Sequence, residues 1–355
     1  MTDKKLLSWG TATHEGLVRS NNEDALFALG VNNNSLNSYS IGLFIIADGL
    51  GGYGTGRLPA TVAIDTVAAD LMQSAILPLM RHESPDLVPP AIRGGIQKAN
   101  TEMLNLWDSN KDCKACGSTI DIALIVDEVL FVGHVGNSRI YKISPHEVKP
   151  LTEDRYLTGQ IKGHYMVQHG DKTNASLPGP PLTLPFPPES FVSPDDLQID
   201  IFAHHLEDNS SILLCTDGLT RHVPETWATV FGNTHELRRH VSPETIATVS
   251  RNAATPQQAA NDLITAANEA GGLDNTTVIV ITYQLVMARR HKDMKNGLDW
   301  GWIPKRSEVI RYGEFEYQLD PEPHKHQKML PRERARKGDT QNGEVHGIPD
   351  ERVGS

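Results

Sequence analysis

The chain has 355 residues, 39% hydrophobic and 22% charged, the balance of a globular protein rather than a fibrous or low-complexity one. Its net charge of −11 is uneven: residues 286–355 carry 14 Lys and Arg against 12 Asp and Glu, and the first 285 carry 19 against 32. So acidic a body is a poor partner for nucleic acid and a reasonable host for divalent cations.

No uninterrupted apolar stretch approaches the ~18 residues of a membrane span, and "MTDKKLLSWGTATHEG" lacks the apolar core of a signal peptide. Cys113, Cys116 and Cys215 are too few, and odd in number, for a disulfide framework. The expectation is a cytoplasmic monomer with no membrane partner.

Residues 5–31 read as a strand, a polar turn and a second strand. Residues 43–47 are unbroken and apolar, which predicts a short buried strand. "RLPATVAIDTVAADLMQSAIL" places apolar residues at helical spacing with Pro59 in the first turn, and "IRGGIQKANTEMLNLW" reads as a second amphipathic helix. "STIDIALIV", "VLFVGHVG" and "SRIYKI" follow one another at hairpin distance and predict an antiparallel meander; "SILLCTDG" is a later strand.

From Tyr156 to Asp196 periodicity is lost, and the seven prolines of "LPGPPLTLPFPPESFVSP" predict an extended surface loop. "TPQQAANDLITAANEAG" is a helix with a Thr-Pro start and a Gly stop, followed by the β-branched strand "LDNTTVIVITYQL". The order is that of an α+β domain over residues 1–285. A polar extension, 286–355, is expected to be largely disordered or docked through 298–319, where Trp300 and Trp302 lie.

Four acidic sites share one local pattern. "NNEDAL" sets Glu23 and Asp24 at a strand start, "IIADGLGG" sets Asp48 after an apolar run, "LLCTDGL" repeats this with Asp217, and "GGLDNTTVIVI" sets Asp274 just before a strand. Singly, each is a common turn residue. Together, carboxylates at the ends of neighbouring strands can converge on one sheet edge, where their repulsion calls for hard, oxygen-seeking cations. The glycine-rich run from Gly49 to Gly56 lets backbone carbonyls approach such a site.

At these residues the chain resembles the type 2C metal-dependent Ser/Thr protein phosphatases, in their bacterial form. The ordered motifs are "GLVRSNNEDAL", "IIADGLGGYGTG", "CGSTIDIALIV", "FVGHVGNSRIY", "LTED", "ILLCTDGL" and "DNTTVIVI", spanning about Ser8 to Gln284. The resemblance implies two antiparallel β-sheets packed as a sandwich with helices on both outer faces, and two Mn²⁺ or Mg²⁺ ions at one edge. By position, Asp48 would bridge the ions, Gly49 would offer its carbonyl, and Asp217 and Asp274 would complete the second. Glu23 and Asp24 would ligate the first ion or hold its waters, and Arg19 would clamp the substrate phosphate.

The implied reaction is hydrolysis of phosphoserine and phosphothreonine on a phosphoprotein by a metal-bridging hydroxide, opposing a Ser/Thr kinase. The chain also departs from the family. Leu50 stands where many members carry a His, the segment after "LTED" is altered, and Asn137 and Arg221 replace two acids of a third, weaker metal site. Two ions rather than three are therefore expected. A catalytically weak module that binds a phosphoprotein or regulates a partner is the alternative. "CKAC" (Cys113–Cys116) and "HKH" (His324–His326) have metal-like spacing but no second ligand pair, and read as a structural thiol pair and a solvated tail segment.

Overall fold

The computed structural model describes residues 4–31, 39–50, 56–110, 117–144, 147–161, 164–169, 197, 199–220 and 241–286, with short strands at 309–312, 315–318 and 330–331. In chain order, β1 (Lys4–His14), β2 (Ala25–Val31), β3 (Ile41–Ala47) and the two-residue β4 (Gly49–Leu50) lead into α1 (Arg57–Leu71). A π-helical turn, Met72–Ile76, joins α1 to α2 (Leu77–Met80), and α3 (Val88–Ser109) follows. Next come β5 (Gly117–Ser118), β6 (Ile120–Val126), β7 (Val129–Val135), β8 (Arg139–Ile143), β9 (Val148–Pro150), β10 (Arg155–Ile161) and β11 (His164–His169). The domain closes with β12 (Asp200–His205), β13 (Ser210–Cys215), the single turn α4 (Asp217–Thr220), α5 (Pro243–Asn252), α6 (Pro256–Glu269) and β14 (Thr276–Val286).

Ten strands make two five-stranded antiparallel sheets, ordered β1-β14-β13-β8-β9 (sheet I) and β12-β7-β6-β3-β2 (sheet II). Period-two alternation sorts their side chains into two layers. Phe44 and Ile46 of β3, Ala123 and Ile125 of β6, and Leu130 and Val132 of β7 face Ile212 and Leu214 of β13 and Ile279, Ile281 and Tyr283 of β14 between the sheets. The alternate residues turn outward. Leu43, Ile45, Ile122, Leu124 and Phe131 pack under α1 and α3, while Leu213, Cys215, Val278 and Val280 pack under α5 and α6. Each fully buried large aliphatic or aromatic side chain of this kind contributes about 1.5–3 kcal/mol. The result is the expected four-layer sandwich.

The helical run Arg57–Met80 is long and apolar enough to cross a membrane by length and composition. Here Ala60, Ala63, Ile64, Val67 and Leu71 are spent on the core under sheet II. Its π turn contains Ser74, whose hydroxyl donates to the Asp70 carbonyl at 2.8 Å and competes with the helix ladder. At α6 the Thr255 hydroxyl accepts from the Gln258 amide, the cap that the Thr-Pro start predicts.

Three expectations need correction. The meander ends after β7: β6 and β7 form a hairpin, but β8 pairs with β13 and β9 in the other sheet. The chain crosses between sheets at Gly136, whose φ of 112° is open to glycine and strained for other residues. The loop expected from Tyr156 begins instead as an antiparallel pair, Arg155–Ile161 with His164–His169, with an irregularity between Leu157 and Gln160. Its proline-rich part lies outside the described residues. Finally, the domain's last strand runs to Val286, paired with Lys4, one residue beyond the expected boundary. In the extension, Val309–Tyr312 pairs with Phe315–Gln318, a hairpin within the segment read as docking; Trp300 and Trp302 lie outside the described residues, as do Cys113, Cys116 and His324–His326.

Candidate functional site

The acidic residues collect where both sheets end. Asp48 follows β3 and Asp24 precedes β2 in sheet II, while Asp217 follows β13 and Asp274 lies two residues before β14 in sheet I. Antiparallel pairing makes this unavoidable, because alternate strands finish and start at the same edge.

Asp24 is the deepest, with 1% of its surface exposed. Its Oδ2 accepts from the Thr216 hydroxyl at 2.8 Å, and its Oδ1 has no hydrogen-bond partner among the described residues. Burial, reinforced by the charges of Asp217 and Asp274 and opposed by the hydroxyls of Thr277 and Thr216, raises its pKa to about 7. Asp217 is buried at the start of α4 and its Oδ2 accepts from Asn137 Nδ2 at 3.0 Å. Asp274 accepts from Arg19 Nη2 at 2.9 Å, and its Oδ1 accepts from the Asn275 amide at 3.0 Å. Arg19 is half exposed at the rim, while Asp274 is mostly covered. The structure thus brings together the expected phosphate clamp and an expected metal ligand, 255 positions apart.

Asp48 is fixed through its backbone. Its amide donates to Thr119 Oγ1 at 2.8 Å, the Thr119 amide donates back to the Asp48 carbonyl at 2.8 Å, and Thr119 Oγ1 lies 2.8 Å from Ser138 Oγ. Gly49 sits in a gap with no room for a side chain: an added Cβ would lie 1.9 Å from the Gly56 carbonyl oxygen and 2.6 Å from that of Glu23. Glu23 itself accepts from the Gly56 amide at 2.6 Å, so its carboxylate caps the N-terminus of α1, where negative charge is favoured.

Sequence reasoning missed the scaffold behind these acids. Asn275, almost fully buried, accepts from the Glu23 amide at 2.8 Å and donates to the carbonyls of Glu15 and Asn21, stapling the Arg19–Asp24 loop to β14. Thr119, Ser138 and Thr216 do the same for Asp48 and Asp24. The one hint is that each stands beside a motif acid or glycine, in "GSTID", "GNSR", "CTDG" and "DNTT". Arg221 lies outside the described residues.

The donor set is entirely oxygen, and Asp24 Oδ1, left without a donor among the described residues and close to like charges, is the kind of group a hard cation satisfies. An all-oxygen set of carboxylates at one sheet edge therefore fits divalent ions. The set is gathered but not closed: among the described residues no three His, Cys, Asp or Glu side chains stand near enough to hold an ion between them. Arg19 and Asn137 occupy one oxygen each of Asp274 and Asp217. Mutual repulsion keeps bare carboxylates apart.

Comparison with known proteins agrees with this geometry. The serine/threonine phosphatase stp of Listeria monocytogenes is 27% identical over 284 residues, covering 78% of this chain and 96% of its own. Protein phosphatase PhpP of Streptococcus pneumoniae is 24% identical over 276 residues, 76% of this chain and 95% of its own. The fold matches the crystal structure of the serine/threonine phosphatase PstP/Ppp of Mycobacterium tuberculosis with a TM-score of 0.56 at 22% identity, over 78% of this chain and 99% of that one. A PstP catalytic domain in complex with two manganese ions aligns equally well, with a TM-score of 0.56 at 22% identity over 79% of this chain and 99% of that one. The family model for protein phosphatase 2C matches residues 10–157, the span that holds Arg19, Glu23, Asp24, Asp48 and Asn137. Asp217 and Asp274 lie beyond that span, and the second half of the sandwich, which the phosphatase folds share, brings them to the same edge.

Proposed function

We propose that this chain is a divalent-metal-dependent phosphatase that removes phosphate from phosphoserine and phosphothreonine in protein substrates. The observation that carries the reading is Asp24 Oδ1, buried and without a hydrogen-bond donor among the described residues, beside the charges of Asp217 and Asp274 where the sheets end. The named activities of the Listeria and Streptococcus relatives support the reaction class, and the two manganese ions of PstP support the cofactor.

In this chain Asp48, the Gly49 carbonyl, Asp217 and Asp274 would hold two Mn²⁺ or Mg²⁺ ions, backed by Glu23 and Asp24. Bound in such a pair, these ions supply an activated water and neutralise charge on the phosphoryl oxygens. The protein's residues do the positioning. Thr119 and Ser138 fix the Asp48 backbone, and Asn275 fixes the loop that carries Arg19. Arg19 spends Nη2 on Asp274 and keeps other N–H donors, in a planar fork suited to two phosphoryl oxygens. We further assign the enzyme to the cytoplasm as a monomer, opposing a Ser/Thr kinase, since such an enzyme must supply its substrate; the sparse cysteines support the compartment.

The test is phosphate release from a phosphothreonine peptide and from p-nitrophenyl phosphate, with Mn²⁺ titrated from zero. Turnover should require the ion, and Arg19→Ala should raise KM more than it lowers kcat. Absence of turnover at every Mn²⁺ and Mg²⁺ concentration would overturn the enzyme reading in favour of a phosphoprotein-binding module.

A further inference from the structure

Asn137 lies in the turn where the chain leaves β7 and crosses to β8, and it is 3% exposed. Its neighbours are pinned on both sides. A Cβ on Gly136 would meet the Thr119 side chain at 2.7 Å, and Ser138 bonds to Thr119, which in turn holds the Asp48 backbone. The amide thus projects from a rigid turn toward Asp217, 80 positions away.

The two ends of that amide are chemically distinct. Nδ2 donates to Asp217 Oδ2 at 3.0 Å; the flipped arrangement would set an amide oxygen against a carboxylate oxygen and is excluded by repulsion. With Nδ2 so fixed, Oδ1 is a buried acceptor with no donor among the described residues. A buried acceptor of this kind costs stability unless something else donates to it. The side chain also carries no charge, so it orients a carboxylate without adding to or cancelling the negative potential around Asp24.

Resting on the phosphatase reading, we propose that Asn137 is a positioning residue for Asp217. Its amide nitrogen holds one carboxylate oxygen and so sets the plane in which Asp217 meets its ion. Its amide oxygen is the acceptor for a water carried by that same ion. Outer partners of this type tune metal affinity by about 10- to 100-fold.

The experiment is Mn²⁺ titration by calorimetry, with thermal melts of the metal-free and Mn²⁺-loaded protein, on wild type, Asn137→Ala and the isosteric Asn137→Asp. Asn137→Ala should weaken one of two Mn²⁺ ions by about tenfold or more and leave the other unchanged, with turnover recovering at saturating Mn²⁺. Asn137→Asp places a carboxylate where the donor stood, so its metal-free Tm should fall and Mn²⁺ should raise it by more than in wild type. Wild-type affinity for both ions in Asn137→Ala, with two ions bound to wild type, would overturn this proposal while leaving the phosphatase reading intact. Equal weakening of both ions, with a lowered Tm that Mn²⁺ does not recover, would mark a purely structural role and overturn it as well. A wild-type protein that binds no Mn²⁺ would sink the site reading and this proposal together.

Discussion

Gly49→Ala and Gly94→Ala are the same chemical change, and the structure gives them opposite signs. At Gly49 the new methyl would lie 1.9 Å from the Gly56 carbonyl oxygen, 2.6 Å from the Gly56 carbonyl carbon and 2.6 Å from the Glu23 carbonyl oxygen. All three atoms are backbone and none can rotate away. The Gly56 oxygen accepts from the Ala60 amide in the first turn of α1, and the Glu23 amide is held by Asn275. Relief requires moving β4 or the start of α1, at the upper end of the overpacking range, about 3 kcal/mol or more. At about 2–4 °C per kcal/mol for a domain approaching this size, Tm should drop by about 6–12 °C. Gly94 lies on the exposed side of α3 with nothing within 4 Å of its would-be Cβ, so alanine there gains helix propensity, about 1 kcal/mol, and raises Tm by about 2–4 °C. Calorimetry of the metal-free variants measures both. An unchanged Tm in Gly49→Ala, or a fall in Gly94→Ala, would refute the reasoning.

Asp48→Asn and Asp217→Asn should each cut turnover by several orders of magnitude while Tm stays within a few degrees, because each removes a charged ligand at the site and no apolar packing; near-normal turnover at saturating Mn²⁺ would show the ligand set to be wrong. Truncation after Val286 should leave a folded, active domain, since β14 completes sheet I between β1 and β13; insolubility would make the extension integral. The fully buried His134 and Asp121 predict a pH dependence. His134 Nε2 donates to the Glu153 carbonyl at 2.9 Å, so the 2.7 Å contact of Nδ1 with Asp121 Oδ1 needs one further proton, on either partner. Burial alone would lower the imidazole pKa, but the Asp121 carboxylate and its hydrogen bond outweigh it, and the net shift is upward. The unfolded chain gives that proton up above about pH 6.5, so stability from the pair is level from about pH 4 to 6.5 and falls as pH rises further, by up to about 1.4 kcal/mol per unit. Denaturant melts from pH 8 to 9, above the range in which the buried Asp24 titrates, should show this slope in wild type and lose it in His134→Gln.

Much of this was legible because apolar alternation is a local signal. The strands at Ile41–Ala47, Ile120–Val126 and Thr276–Val286 and the long helices each declare themselves within one window. The four acidic positions stood out for the same reason, each interrupting or bounding such a run. What stayed hidden depends on distant partners. Val129–Val135 and Arg139–Ile143 are spaced like a hairpin, and only β13, some 70 residues on, draws the second into the other sheet. Thr119 reaches Asp48 across 71 positions, Thr216 reaches Asp24 across 192, and Asn275 reaches Glu23 across 252. A hydroxyl or amide near a strand end is too common for its sequence neighbourhood to announce such a task.

Asp24 and Asp48 belong to one sheet and Asp217 and Asp274 to the other, so the gap between the two acidic pairs is gauged by what fills the sandwich. Phe44, Leu214 and Ile281 then act as spacers in a caliper whose jaws are the carboxylates. Thinning that layer by Phe44→Leu, or thickening it by Ala123→Val, changes the aperture without touching a charged residue. Mg²⁺ demands shorter, near-ideal octahedral contacts, whereas larger cations tolerate looser ones. A choice between ions at this edge would then depend on the hydrocarbon interior as well as on the acids.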